Sequence, residues 1–215
     1  NNDHVNSRYL PGIELPASIR VSTNLSEIAD APLILLVVPS QVARQVLSDL
    51  AEIGIDKETL IISCTKGIDP TAGSLMHELI HEFFPANPVA VLSGPSHAEE
   101  VAKRMATLAT SGSSDPEIAA KAQSIFTLPW FRTYTSDDVI GIEIGGVVKN
   151  IFAIAAGAID GLGLGDNAKA ALLTRGLAEM TRLGVALVAK EETLRGLSGI
   201  GDLIVTGYSV HSRNN

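Results

Sequence analysis

Cysteine is almost missing from this chain: Cys64 is the single one in 215 residues. No disulfide can form within the chain, and a reducing, cytoplasmic setting is expected. A basic excess is lacking as well. Asp and Glu number 24 against 16 Lys and Arg, a net charge of −8, which argues against the basic face that nucleic-acid binding needs. Any anionic ligand must be held by a few local cations, because the field of the whole molecule repels it. Long apolar runs are absent too. The longest, Ile151 to Ile159, reads as too short and too rich in Ala and Gly to span a membrane, so no integral membrane contact is expected. Asn1–His4 shows no secretory pattern, and there is no repeat or low-complexity stretch.

What is present is apolar: 46% hydrophobic against 19% charged, enough for a sizeable core. The first half alternates between two periodicities. Leu33–Val38 is a continuous apolar run, as a strand covered on both faces should be. A helix follows with Ser40 as its cap. Leu60–Cys64 is the next strand, and Thr71–Phe84 a helix stopped by Pro85. Val89–Leu92 (strand), Ser96–Lys103 (helix), Ala106–Thr110 (strand), Asp115 to about Phe126 (helix) and Phe131–Tyr134 (strand) complete the series. This order predicts βαβ units, a mostly parallel sheet and helices on both faces. After Ser136 the pattern is helical. Ser136 reads as a cap for a helix over Val139–Ile159, the glycines of 161–165 as a turn, and Asp166 or Asn167 as the cap of a helix to Ala189. Both helices look apolar almost all round and are expected to be buried. A boundary near Thr135–Ser136 then separates residues 1–135, an α/β nucleotide-type domain, from residues 136–215, an all-α domain.

Several polar residues stand out. Lys149 lies inside an apolar helix; it either snorkels to solvent or points into a polar cleft where a lysine can serve as a proton donor. Lys66 follows a strand directly, at the sheet edge where ligands bind in open α/β folds, or else is an ordinary loop lysine. Gly94-Pro95-Ser96 ends a strand and opens a helix, which suits a phosphate or hydroxyl ligand and equally an ordinary turn. Asp202 is either a helix cap or a partner for Lys149. Ser212-Arg213-Asn214 offers a hydroxyl, a guanidinium fork and an amide, the set a phosphomonoester needs, and reads alternatively as a polar tail. Arg175 and Glu179, four apart on a helix, are expected to form a structural ion pair.

Taken in order, Ser93-Gly-Pro-Ser-His-Ala-Glu-Glu-Val101, Glu143-Ile-Gly-Gly-Val-Val-Lys-Asn150, Asp160-Gly-Leu-Gly-Leu-Gly-Asp-Asn167, Thr174-Arg-Gly-Leu-Ala-Glu-Met180, Gly199-Ile-Gly-Asp-Leu-Ile-Val-Thr206 and Ser212-Arg-Asn214 resemble bacterial NAD(P)-dependent sn-glycerol-3-phosphate dehydrogenase over essentially the whole chain. The resemblance implies an incomplete Rossmann-type dinucleotide-binding domain, then an incomplete all-α substrate domain of the 6-phosphogluconate dehydrogenase C-terminal-like kind. It implies interconversion of dihydroxyacetone phosphate and sn-glycerol 3-phosphate with NADPH or NADH, for phospholipid synthesis. Lys149 is then the general acid/base, with Asn150 beside it. Lys66, Gly94, Ser96, Asp202 and Thr206 contact substrate, and Ser212, Arg213 and Asn214 hold its phosphate. Pro39, Lys66, Ala98 and Arg213 contact the cofactor. A cytoplasmic homodimer is implied as well.

The chain departs from the family pattern at its ends. No G-x-G-x-x-G follows a first strand; it is expected upstream of Asn1, and the helical domain is expected to continue past Asn214. Gly207 stands where a Cys is common. The chain reads as a fragment or a truncated product, binding cofactor weakly by itself, and a non-catalytic dimerising fragment is an alternative. A two-domain 3-hydroxy acid dehydrogenase shares the Gly145-to-Lys149 spacing but usually carries Asn where Ala153 stands. His77-Glu-Leu-Ile-His81 matches the zinc-hydrolase helix motif, yet Glu82 and the helix's place over a sheet speak against a metal.

Overall fold

A computed structural model describes residues 4–208. A hairpin comes first, β1 (Val5–Asn6) and β2 (Leu10–Glu14). β3 (Leu33–Leu36), β4 (Leu60–Ser63), β5 (Val89–Ser93), β6 (Thr107–Gly112) and β7 (Phe131–Ser136) then form one sheet in sequence order. β3, β4 and β5 are parallel, β6 runs antiparallel to β5, and β7 is parallel to β6. The parallel pairs are joined by helices, because parallel neighbours need a crossover: α1 (Ser40–Ile53), α2 (Met76–Phe83) and α4 (Pro116–Phe126). The short α3 (Ala98–Ala102) lies in the β5–β6 connection.

β4 shows why an unbroken apolar run becomes an inner strand. Ile61 packs into the core under α1 and α2, while Leu60 and Ile62 enter a second core with Ala122 of α4. β3 is different. Among the described residues it is the last strand of the sheet, and Ile34 and Leu36 are buried while Leu35 is 44% exposed, so only one face is covered within them.

The remaining elements are α5 (Val139–Gly161), α6 (Asp166–Ala186), α7 (Glu191–Leu194), a π-type turn (Leu197–Gly201) and α8 (Asp202–Tyr208). α5 packs against β5, α6, α7 and α8. Its 23 residues make it long and apolar enough to cross a membrane by length and composition, so the sequence expectation of too short a span is corrected. Here it is the shared helix of two packed layers.

Several boundaries move for identifiable reasons. α1 starts at Ser40, with Pro39 as its cap residue and no side-chain cap. α2 starts at Met76, not Thr71, because Asp69 gathers the 71–72 backbone N–H groups and Ile68 bridges Leu75. α3 starts at Ala98, not Ser96. Asp138, not Ser136, caps α5: its carboxylate accepts from Gly141 N–H at 2.9 Å and from Lys190 N–H at 2.7 Å, tying α5 to the start of α7. Gly165 caps α6, which ends at Ala186. The expected burial of both helices holds for one stripe only. Ile151 and Ile154 of α5 and Leu183 and Val185 of α6 are exposed. Arg175 and Glu179 are both exposed and form no ion pair with each other; the buried charge on α6 is Lys169, which donates to Asp160 at 2.6 Å.

Candidate active site

The C-terminal ends of β3, β4 and β5 face the C-terminal half of the helical layer, and the polar residues named above meet there. Lys66 leaves the end of β4. Lys149 comes from the middle of α5, and Asp202 opens α8. Asp202 Oδ1 accepts from Lys149 Nζ at 2.5 Å, and Oδ2 accepts from Lys66 Nζ at 2.6 Å. One carboxylate, 1% exposed, thus bridges two ammonium groups from the two layers. Lys149 also donates to Thr206 Oγ at 3.1 Å, and the Thr206 hydroxyl donates to the Asp202 carbonyl at 2.6 Å, one helical turn back. Lys66 donates to the Gly94 carbonyl at 3.1 Å, and so does the Ser96 hydroxyl at 3.2 Å.

Local backbone makes this meeting possible. Gly145 lets α5 touch the π-type turn: a Cβ there would sit 2.4 Å from the Ser198 carbonyl oxygen. Gly94 has φ +152°, and a Cβ there would meet the Leu108 carbonyl oxygen at 2.9 Å, so only glycine turns the chain here and leaves its own carbonyl facing Lys66. The π-type turn aims the start of α8 at α5, in keeping with the frequent use of such turns at functional sites.

The electrostatics follow from burial and proximity. Burial, then the positive charge of Lys66, push the Lys149 ammonium down to about 8 against the opposing pull of Asp202. An amine near that value can both give and take a proton around neutral pH. Burial pushes the neighbouring Cys64 thiol up to about 11, with Lys66 opposing, so it stays protonated.

The other expected residues lie close by or outside. Pro39, Ser96, Ala98 and Asn150 are exposed. Ser96 precedes α3 and does not cap it. Ser212, Arg213 and Asn214 lie outside the described residues. For a dinucleotide, the uncapped first turn of α1 leaves N–H donors open beside Pro39; Lys66 follows β4, and Ala98 opens α3 after β5. These residues fit the nicotinamide end; the glycine fingerprint for a pyrophosphate is not in the sequence. His81 is exposed, His77 is engaged by Glu143, and no group of His, Cys, Asp and Glu among the described residues could hold a metal.

Sequence reasoning missed Glu143. This carboxylate, 7% exposed, accepts the His77 backbone N–H at 3.0 Å and lies 2.5 Å from His77 Nδ1. Burial alone would lower the His77 pKa; the hydrogen bond and charge of Glu143, with Glu78, raise it above the ordinary value. A buried Glu six residues before Lys149 was the available signal.

Comparison with known proteins identifies the family. Residues 1–119 match the family described as NAD-dependent glycerol-3-phosphate dehydrogenase N-terminus, and residues 138–215 match its C-terminus. A Bacillus cereus protein named glycerol-3-phosphate dehydrogenase, NAD(P)+, is 51% identical over all of this chain and 64% of its own length. The crystal structure of a glycerol-3-phosphate dehydrogenase from Coxiella burnetii superposes with a TM-score of 0.94 at 41% identity, over 99% of this chain and 65% of that one. The yeast structure, from Saccharomyces cerevisiae, gives 0.83 at 31% identity over 100% and 64%. The chain therefore spans just under two thirds of the length of these relatives. It belongs to the NAD-dependent glycerol-3-phosphate dehydrogenase family.

Proposed function

We propose that the protein interconverts dihydroxyacetone phosphate and sn-glycerol 3-phosphate with NADH or NADPH, supplying glycerol phosphate for phospholipid synthesis. The observation that carries this reading is the buried Lys149, held by Asp202 and brought to about 8 by burial and by the Lys66 ammonium on the same carboxylate. The dinucleotide, when bound, supplies the hydride. Lys149 gives its proton to the carbonyl oxygen as that oxygen becomes an alcohol, and the reverse reaction returns the proton to Lys149. Asp202 aims Lys149 and Lys66, and Thr206 fixes the face of α8 they meet. Lys66 opposes the developing negative charge on the substrate oxygen.

Gly94, Ser96 and Asn150 border the substrate in this reading, and Ser212, Arg213 and Asn214 hold its phosphate. Pro39, Ala98 and Arg213 border the cofactor. The proposed domains are residues 1–135 and 136–215. A cytoplasmic homodimer is proposed as well. The net charge of −8 speaks against nucleic acid as a partner.

The test is oxidation of NADPH or NADH by dihydroxyacetone phosphate in the full-length gene product and its Lys149→Ala variant. Loss of about 10²–10⁴-fold in kcat with the fold retained is expected. Full-length protein that oxidises neither cofactor with this substrate would sink the assignment.

A further inference from the structure

Lys66 borders a second, smaller cavity, closed between the ends of β4 and β5 and the early turns of α5. Its other polar walls are Ser63, Thr65, Ser93 and Glu143, with the Thr65 hydroxyl already donated to the Leu36 and Val38 carbonyls, and Gly146 forms its helix side. It measures about 10 Å³, room for about one water. Ser63 Oγ and Ser93 Oγ are buried here without a hydrogen-bond partner, and buried hydroxyls are rarely left so. Glu143 has an oxygen held by each of two His77 groups, but a carboxylate offers about four acceptor positions. Two of the three Lys66 donors are placed on Asp202 and Gly94.

We propose that one water, held by Ser63, Ser93 and Glu143, fills this cavity, and that through it Glu143 acts as a positioning residue for Lys66 and so for Lys149. This rests on the catalytic reading above. His77 fixes Glu143 from α2 and faces outward onto a larger pocket with His81, Asp137, Asp138 and Lys190. Asp137 and Lys190 pair with each other, which leaves the His77–Glu143 pair as the charged link between that pocket and Lys66. Glu143 brings a second carboxylate to the wall that Lys66 shares, while Asp202 is the one that touches both lysines.

Gly146 gives a clean way to test the water. A Cβ there would lie 3.4 Å from Ser93 Oγ and 3.5 Å from Lys66 Cγ, ordinary contact, so Gly146→Ala occupies the space without displacing backbone. Lysine NMR would follow the Lys149 titration in full-length protein, in Gly146→Ala and in Glu143→Gln. The expected result is a midpoint lowered by about half a unit or more in both, with kcat down several-fold and KM nearly unchanged. Ser93→Ala, which removes a hydroxyl and adds no volume, decides the matter if either variant fails to fold. An unmoved midpoint in folded variants, or a dry cavity in a crystal structure, overturns the proposal. The titration needs no substrate, so a protein inactive on dihydroxyacetone phosphate would count against the catalytic reading alone.

Discussion

Lys149 is buried among apolar neighbours, yet its nitrogen is placed on Asp202 and Thr206 rather than left to find solvent. Burial and the adjacent Lys66 hold it near 8, and the sign of the pH dependence follows. Carbonyl reduction needs the ammonium form, so kcat/KM for reduction should be flat below about 8 and fall above it. Alcohol oxidation needs the free amine, so it should rise with pH and level off above the same value. Lys66→Met removes a cause of the depression, and both limbs should move upward. Profiles measured in the two directions that do not share a midpoint would remove Lys149 from the proton-transfer role.

At this scale Lys149 and Asp202 were legible in the sequence. An ammonium inside an apolar helix demands a partner, and the family motif put Asp202 within its reach. The second use of Asp202 was not legible. Lys66 is 136 residues away from it, and only the docking of the sheet edge on α8 brings the two together. Glu143 escaped notice for a similar reason: its partner is His77, 66 residues earlier, in a segment whose pattern suggested a different chemistry.

Between elements, the contact that sets the site is α5 against the π-type turn. Gly145 permits it, since a Cβ would overlap the backbone of Ser198. Gly145→Ala should therefore push the turn and α8 away from Lys149. Overpacking of this kind costs about 1–3 kcal/mol. Thermal melts of the variant should show that loss together with a larger loss of activity than Gly146→Ala causes. Equal activity in the two variants would mean that α8 is positioned by something else. The strands that read well are the inner ones, whose two buried faces leave continuous apolar runs. β3 has the same composition, and among the described residues only one of its faces is covered. The start of α2 misled because Asp69 is buried, and Arg44 beside it holds its carboxyl below the usual range. That buried carboxylate draws the 71–72 backbone into a turn. The β1–β2 hairpin went unread, as Pro11 and Gly12 break any alternation in β2.

Across the whole molecule, charge is distributed against the gradient the site needs. The chain carries −8, and the centre gathers two ammonium groups around one carboxylate. Under the proposed function a phosphate-bearing anion would be drawn by a short-range feature within a repelling field, and added salt should reduce the long-range repulsion more than the local attraction. The shared carboxylate has a further effect. With two cations on one anion, the protein's own groups leave the site short of negative charge, and Lys149 gives up part of its proton near pH 8. An arriving dianion makes good that shortage and favours the ammonium again, so ligand capture and proton uptake become one event. Calorimetry of glycerol phosphate binding in two buffers of different ionisation heat should show protons absorbed at pH 8 and none absorbed at pH 6, where Lys149 is already charged and the phosphate, near its own second pKa of about 6, can only release them. Heats independent of buffer at pH 8 would mean the lysine never senses the anion. If the uptake is found, the enzyme arms its own acid: the substrate's charge loads the proton that its carbonyl then receives.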